Sequence, residues 1–141
     1  MADDIVLSDL QLDLMRVLWR GGEWSVAEAT EALAERALAH TTVATLLTRL
    51  EKRGVVELRR DGRQLLYSAA VSEAQVRRSM VSSLIAQVFR GDPKALLAHL
   101  VSEREVAPGD LERVRALLRD DPSAKASTAK KPSGRTGENA R

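Results

Sequence analysis

Thr41, Thr42, Thr45, Thr48, Arg49 and Lys52 share a short segment with Val43, Leu46, Leu47 and Leu50. The apolar set recurs at i, i+3, i+4 and i+7, the buried stripe of an amphipathic helix. At about 100° per residue, Thr41, Thr45, Thr48 and Lys52 lie opposite that stripe, flanked by Ala44 and Arg49. The opposite face holds threonines and bases and no acid. A threonine hydroxyl can bond a phosphate or a base edge, and its methyl can meet a thymine methyl. An arginine forks onto guanine or phosphate, and a lysine further along suits backbone phosphate. Such side chains describe a surface for a polyanion. They also describe an ordinary solvated helix face, so the neighbouring elements must decide.

The charge distribution favours the first reading. The chain has 141 residues and a net charge of +2. Residues 122–141 hold five bases and one acid, which leaves the rest of the chain acidic. Within that acidic body, residues 40–63 carry six bases (Arg49, Lys52, Arg53, Arg59, Arg60, Arg63) against three acids. A basic patch on an acidic body points to one polyanion site. Aromatics make up 3% of the chain, so the core must be aliphatic. There is no cysteine, which excludes disulfides, thiolate metal sites and cysteine nucleophiles. No stretch approaches the ~18 apolar residues of a membrane span. The start, MADDIVLSDL, lacks a basic region followed by a long apolar run. The expectation is a cytoplasmic protein with no membrane partner.

The elements that position these residues can be read in order. Ser8 and Gln11 form a capping box ahead of Leu10, Leu14, Val17 and Leu18, and Gly21-Gly22 stops that first helix. Ser25 and Glu28 form a second box, with Val26, Ala29 and Leu33 as the apolar side of a helix ending near Arg36. Thr41 or Thr42 is expected to cap the third helix, and Gly54 to close it. The period then changes: VVELRR reads as a strand, Asp61-Gly62 as a tight turn and RQLLYSA as the return strand. Ser72 and Gln75 open a fourth helix with Val76, Met80, Leu84 and Val88, broadened by Val81, Ile85 and Phe89. Pro93 begins a fifth with Leu96, Leu97, Leu100 and Val101, and Pro108 a sixth with Leu111, Val114, Leu117 and Leu118. Residues 120–141 hold almost nothing to bury and should be a disordered basic tail, either an arm for DNA or a solubilising extension.

Two helices, a turn, a third helix and a basic hairpin make a winged helix-turn-helix. The fold class expected is mainly α with a small β wing. A winged helix over 7–70 would precede a helical dimerisation domain over 71–119. Thr41, Thr42, Ala44, Thr45, Thr48, Arg49, Lys52, Arg60 and Arg63 are the candidate contacts to double-stranded DNA. About 50 residues in three helices bury too little surface alone. Met80, Leu84, Val88, Leu96, Leu97, Leu100, Leu111, Val114, Leu117 and Leu118 are therefore candidates for a two-fold contact. The alternative is that these stripes pack only on the winged helix of the same chain.

An enzyme is not indicated. There is no Gly-rich phosphate loop and no histidine beside a serine or carboxylate in a recognised motif. No cofactor and no metal are expected, since the two histidines, His40 and His99, lie far apart. His40 suits a phosphate contact or a surface turn, and His99 a packed or interface position. Trp19 and Trp24 suit the gap between the first two helices, or a stacked ligand. A winged helix used for protein contact and a small-molecule-sensing regulator remain as alternatives.

The stretch LAHTTVATLLTRLEKRGVVELRRDGRQLLYSAA resembles the DNA-binding core of the penicillinase-repressor (BlaI/MecI) family. The shared marks are a Thr-Thr-Val, leucine-spaced recognition helix, a Lys-Arg-Gly end and a Gly-Arg wing followed by tyrosine. LSDLQLDLMRVLWRGGEWSVAEATEAL and LLAHLVSEREVAPGDLERVRALL resemble the family's first and last helices, so the likeness spans about residues 7–119. It implies a dimeric repressor on a palindromic operator, its C-terminal helices clasping the partner. In β-lactam-responsive members a membrane sensor-protease pathway leads to cleavage near an Asn-Phe pair in the fifth helix. The aligned pair here is His99-Leu100, so the resemblance does not carry that cleavage over. Copper-responsive members use a cysteine-rich C-terminal motif, which this chain lacks.

Overall fold

The computed structural model describes residues 5–120. The tail expected from the sequence lies outside them, except Asp120, which closes the last helix. The helices are α1 (Asp9–Leu18), α2 (Val26–Ala32), α3 (His40–Lys52), α4 (Glu73–Val88), α5 (Pro93–Ser102) and α6 (Pro108–Asp120). Between α3 and α4 lies an antiparallel hairpin of β1 (Val56–Asp61) and β2 (Gln64–Ala69). The mainly helical architecture with a two-stranded wing is the one expected.

Local chemistry accounts for the helix starts. Ser8, Ser25 and Ser72 each accept from the backbone N–H three residues on, and Gln11, Glu28 and Gln75 return the bond, completing three capping boxes. The start of α3 corrects the sequence reading. Its N-cap is Ala39, without a side-chain cap, and Thr41 and Thr42 lie inside the first turn. The helix begins earlier because Thr42 N–H and Val43 N–H both bond the Ala39 carbonyl, so no hydroxyl is needed to set the first turn. α2 also stops early, at Ala32, and a 3-10 turn over Ala34–Arg36 covers the rest.

The wing turn is displaced by one residue from the expected Asp61-Gly62. Asp61 pairs with Gln64, and Gly62-Arg63 form the loop, with Gly62 at φ 65°. Positive φ at the first central position alone is the pattern for which a II′ turn requires glycine. The alternative register would set Arg60 directly opposite Arg63, a like-charge pair that destabilises a hairpin. The observed one sets Arg60 against Leu65.

The described residues divide into two compact units between Gly91 and Asp92. The first unit has one aliphatic core. Leu14, Met15, Val17 and Leu18 of α1 meet Ala29 of α2 and Leu33 after it, Val43, Leu47 and Leu50 of α3, and Tyr67 of the wing. Ile5 and Leu7 join this core from an extended N-terminal segment. Val76 of α4 is also buried in it, and Met80 packs against it. Ser79 Oγ accepts from the Ile5 N–H at 2.7 Å. Trp19 packs against the same core and donates its indole N–H to the Val71 carbonyl at 2.8 Å. Trp24 exchanges backbone hydrogen bonds with Tyr67, both 2.8 Å, and so adds a one-residue third strand beside β2. In the second unit Asp92 caps α5 through the Lys94 N–H, with Pro93 in its first turn.

Candidate nucleic-acid interface

α3 is held by what it buries. Val43, Leu47 and Leu50 are fully buried, and Leu46 is half-buried. The helix turns Thr41, Thr42, Thr45, Thr48, Arg49 and Lys52 to solvent, with Ala44 half-buried beside them. The only acid in α3 is Glu51, half-buried and off this face. Thr48 donates its hydroxyl to the Ala44 carbonyl at 2.9 Å, which leaves its oxygen to accept and its methyl to make contact. Among the described residues no hydrogen bond or ion pair engages the side chains of Arg49, Lys52, Arg60 or Arg63.

The remaining bases of the patch are occupied. Arg53 donates to the Val6 carbonyl at 3.0 Å and ties the end of α3 to the N-terminal segment. Arg59 forms two bonds of 2.7 Å with Glu23, from Nε to Oε2 and from NH2 to Oε1. The Arg59 hydrogen bond holds the Glu23 carboxyl below its ordinary range, against partial desolvation. The sequence picked out neither partner, because Glu23 lies 36 residues from Arg59 and Val6 lies 47 from Arg53. The alternation of Ile5 and Leu7 was the one available sign that the N-terminal segment is built in.

The dimerisation candidates fall into two settings. On α4, Met80 packs on the core while Leu84 and Val88 are exposed, as is neighbouring Val81. In the second unit Leu97, Leu111, Val114, Leu117 and Leu118 are exposed, and Leu96 and Leu100 are half-buried. His40 is exposed at the first position of α3, and His99 is exposed on α5. Among the described residues no group of three or more His, Cys, Asp or Glu could hold a metal ion, and no helix is long and apolar enough to cross a membrane. A surface hollow of ≈ 400 Å³ is lined by Trp24 and Ala32 and edged by Glu23, Glu28 and Glu31.

A core-packed helix pair, an outward face of threonines and bases, and an adjoining basic hairpin define a winged helix-turn-helix. The sequence profile of the penicillinase repressor family matches residues 7–120. The methicillin resistance regulatory protein MecI of Mammaliicoccus sciuri is 23% identical over 113 residues, 79% of this chain and 92% of that protein. The penicillinase repressor of Staphylococcus aureus is 24% identical over 120 residues, 82% of this chain and 93% of that one. Among solved structures, Bacillus licheniformis BlaI in complex with the blaP half-operator is 26% identical with a TM-score of 0.44, covering 51% of this chain and 89% of that one. The chain belongs to the penicillinase repressor family. It is thus in class a DNA-binding repressor and not an enzyme.

Proposed function

We propose that this chain is a sequence-specific repressor that binds a palindromic operator as a homodimer. In this reading α3 of each protomer enters the major groove, and the wing lies on the flanking backbone or minor groove. The observation that carries it is the outward side of α3, with exposed threonines, Arg49 and Lys52, no acid and, among the described residues, no intramolecular partner for either base. Thr41, Thr42, Ala44, Thr45, Thr48 and Arg49 are the proposed contacts to base edges and nearby phosphates; Lys52, Arg60 and Arg63 take backbone phosphates. The start of α3 accords with the reading, since its N-cap Ala39 makes no side-chain cap and its first turn holds no acid.

The proposed dimer contact uses Met80, Leu84, Val88, Leu96, Leu97, Leu100, Leu111, Val114, Leu117 and Leu118, within a helical part over 71–119 that follows a DNA-binding part over 7–70. Leu117 is 68% and Val88 61% exposed in the single chain. Apolar surface of that kind is removed from water when a second copy covers it. Relatives named for resistance regulation and penicillinase repression accord with a regulator, which would act where the chromosome lies, in the cytoplasm. A sensor-protease pathway is a further proposed partner; with His99-Leu100 at the place of the family's Asn-Phe pair, cleavage at that bond is not part of the proposal.

The test is a binding selection with the purified chain on fragmented genomic DNA at two salt concentrations. Enrichment of a short palindrome, with affinity falling steeply as salt rises, is the expected result. No enriched sequence at either salt would overturn the reading and leave a protein-contact module.

A further inference from the structure

An acid from the connection between α1 and α2, Glu23, meets the wing where a polyanion is proposed to dock. β2 is flanked by β1 on one edge and by the Trp24 bridge on the other. Glu23 adjoins that bridge, and Arg59 adjoins Leu58, the partner of Tyr67. The two side chains meet across the central strand. Their side chains are 37% and 56% exposed, and a pair so placed adds little to stability. What a two-point contact does fix is the plane of the guanidinium. Glu23 occupies the edge formed by Nε and NH2. NH1 and the second NH2 hydrogen remain as donors on the other edge. Arg60, on the opposite face of β1, and Arg63 in the turn have no intramolecular partner among the described residues.

We propose that Arg59 binds a DNA backbone phosphate through its free edge and that Glu23 is the positioning residue that aims it. An acid is then needed at a surface that binds a polyanion. The inference rests on the DNA-binding function proposed above. A carboxylate that merely neutralised Arg59 would act in the opposite sense, because its removal would free a charge and strengthen binding.

The experiment measures binding of the full chain to the selected operator and to an unrelated duplex across a salt series. Arg59→Ala should weaken both by a similar factor and lower the slope of log K against log salt by about 1. Glu23→Gln should weaken binding several-fold with the slope unchanged, and should add nothing when combined with Arg59→Ala. Arg59→Lys, which keeps the charge and loses the fork, should behave like Glu23→Gln and serves if the alanine variant folds poorly. Tighter binding or a steeper slope for Glu23→Gln would overturn the proposal, as would unchanged binding by Arg59→Ala or additive losses in the double variant. Absence of salt-dependent binding by the unsubstituted chain would overturn the DNA-binding reading itself, a result distinguishable from these.

Discussion

Arg49 projects from the exposed side of α3 without an intramolecular partner among the described residues, whereas Arg53, one turn on, spends a donor on the Val6 carbonyl. The same residue type is proposed for recognition in one place and builds the fold in the other. Arg49→Ala should weaken operator binding by roughly 1–3 kcal/mol and random duplex by less, if Arg49 reads a base. Equal losses on both, measured by titration, would make it a phosphate contact. Two exposed carboxylates each add a small part to the pH response. Asp13 is held below its ordinary value chiefly by the Arg36 hydrogen bond, and Glu23 chiefly by that from Arg59. A group lowered in the folded state contributes stability above its unfolded value and loses it as pH falls through the folded one. Thermal midpoints should therefore hold above the ordinary values of 3.8 and 4.5 and fall below them. Asp13→Asn with Glu23→Gln should flatten that fall. The outward face of Arg49 and Lys52 could be read from helical spacing alone, but these pairings could not, since their partners are set by tertiary contact.

At the scale of elements, three serine capping boxes and the stripe of α3 were legible because each depends on neighbours within one or two turns. The start of α3 and the wing turn were not. An Asp-Gly pair favours a turn in isolation, but register also depends on what faces what across the strands, and the observed pairing keeps Arg60 away from Arg63. Gly62 thereby becomes the residue that must hold positive φ. A Cβ there would meet nothing within 4 Å, so any penalty is one of backbone conformation. Gly62→Ala should cost about 1–2 kcal/mol in urea unfolding, with operator affinity reduced through the wing. A loss-free substitution would mean that the turn readily adopts another conformation.

At the scale of the molecule, the apolar stripes of α4, α5 and α6 were visible in the sequence, but their allocation was not. Periodicity says which side of a helix is apolar and nothing of what covers it. The first turns of α4 lend Val76 and Met80 to the winged-helix core, while Leu84 and Val88 further along stay exposed. Leu117→Asp, at the most exposed leucine of α6, should halve the mass seen in sedimentation and leave the first unit folded. An unchanged mass would remove the last helix from the proposed interface. Trp19 and Trp24 both belong to the first unit, as do the single tyrosine, Tyr67, and the single phenylalanine, Phe89. The second unit is therefore optically silent in the near ultraviolet. Intrinsic emission originates in the first unit alone, and no residue of α5 or α6 contributes to it. Only a backbone signal, such as far-ultraviolet circular dichroism, counts those helices.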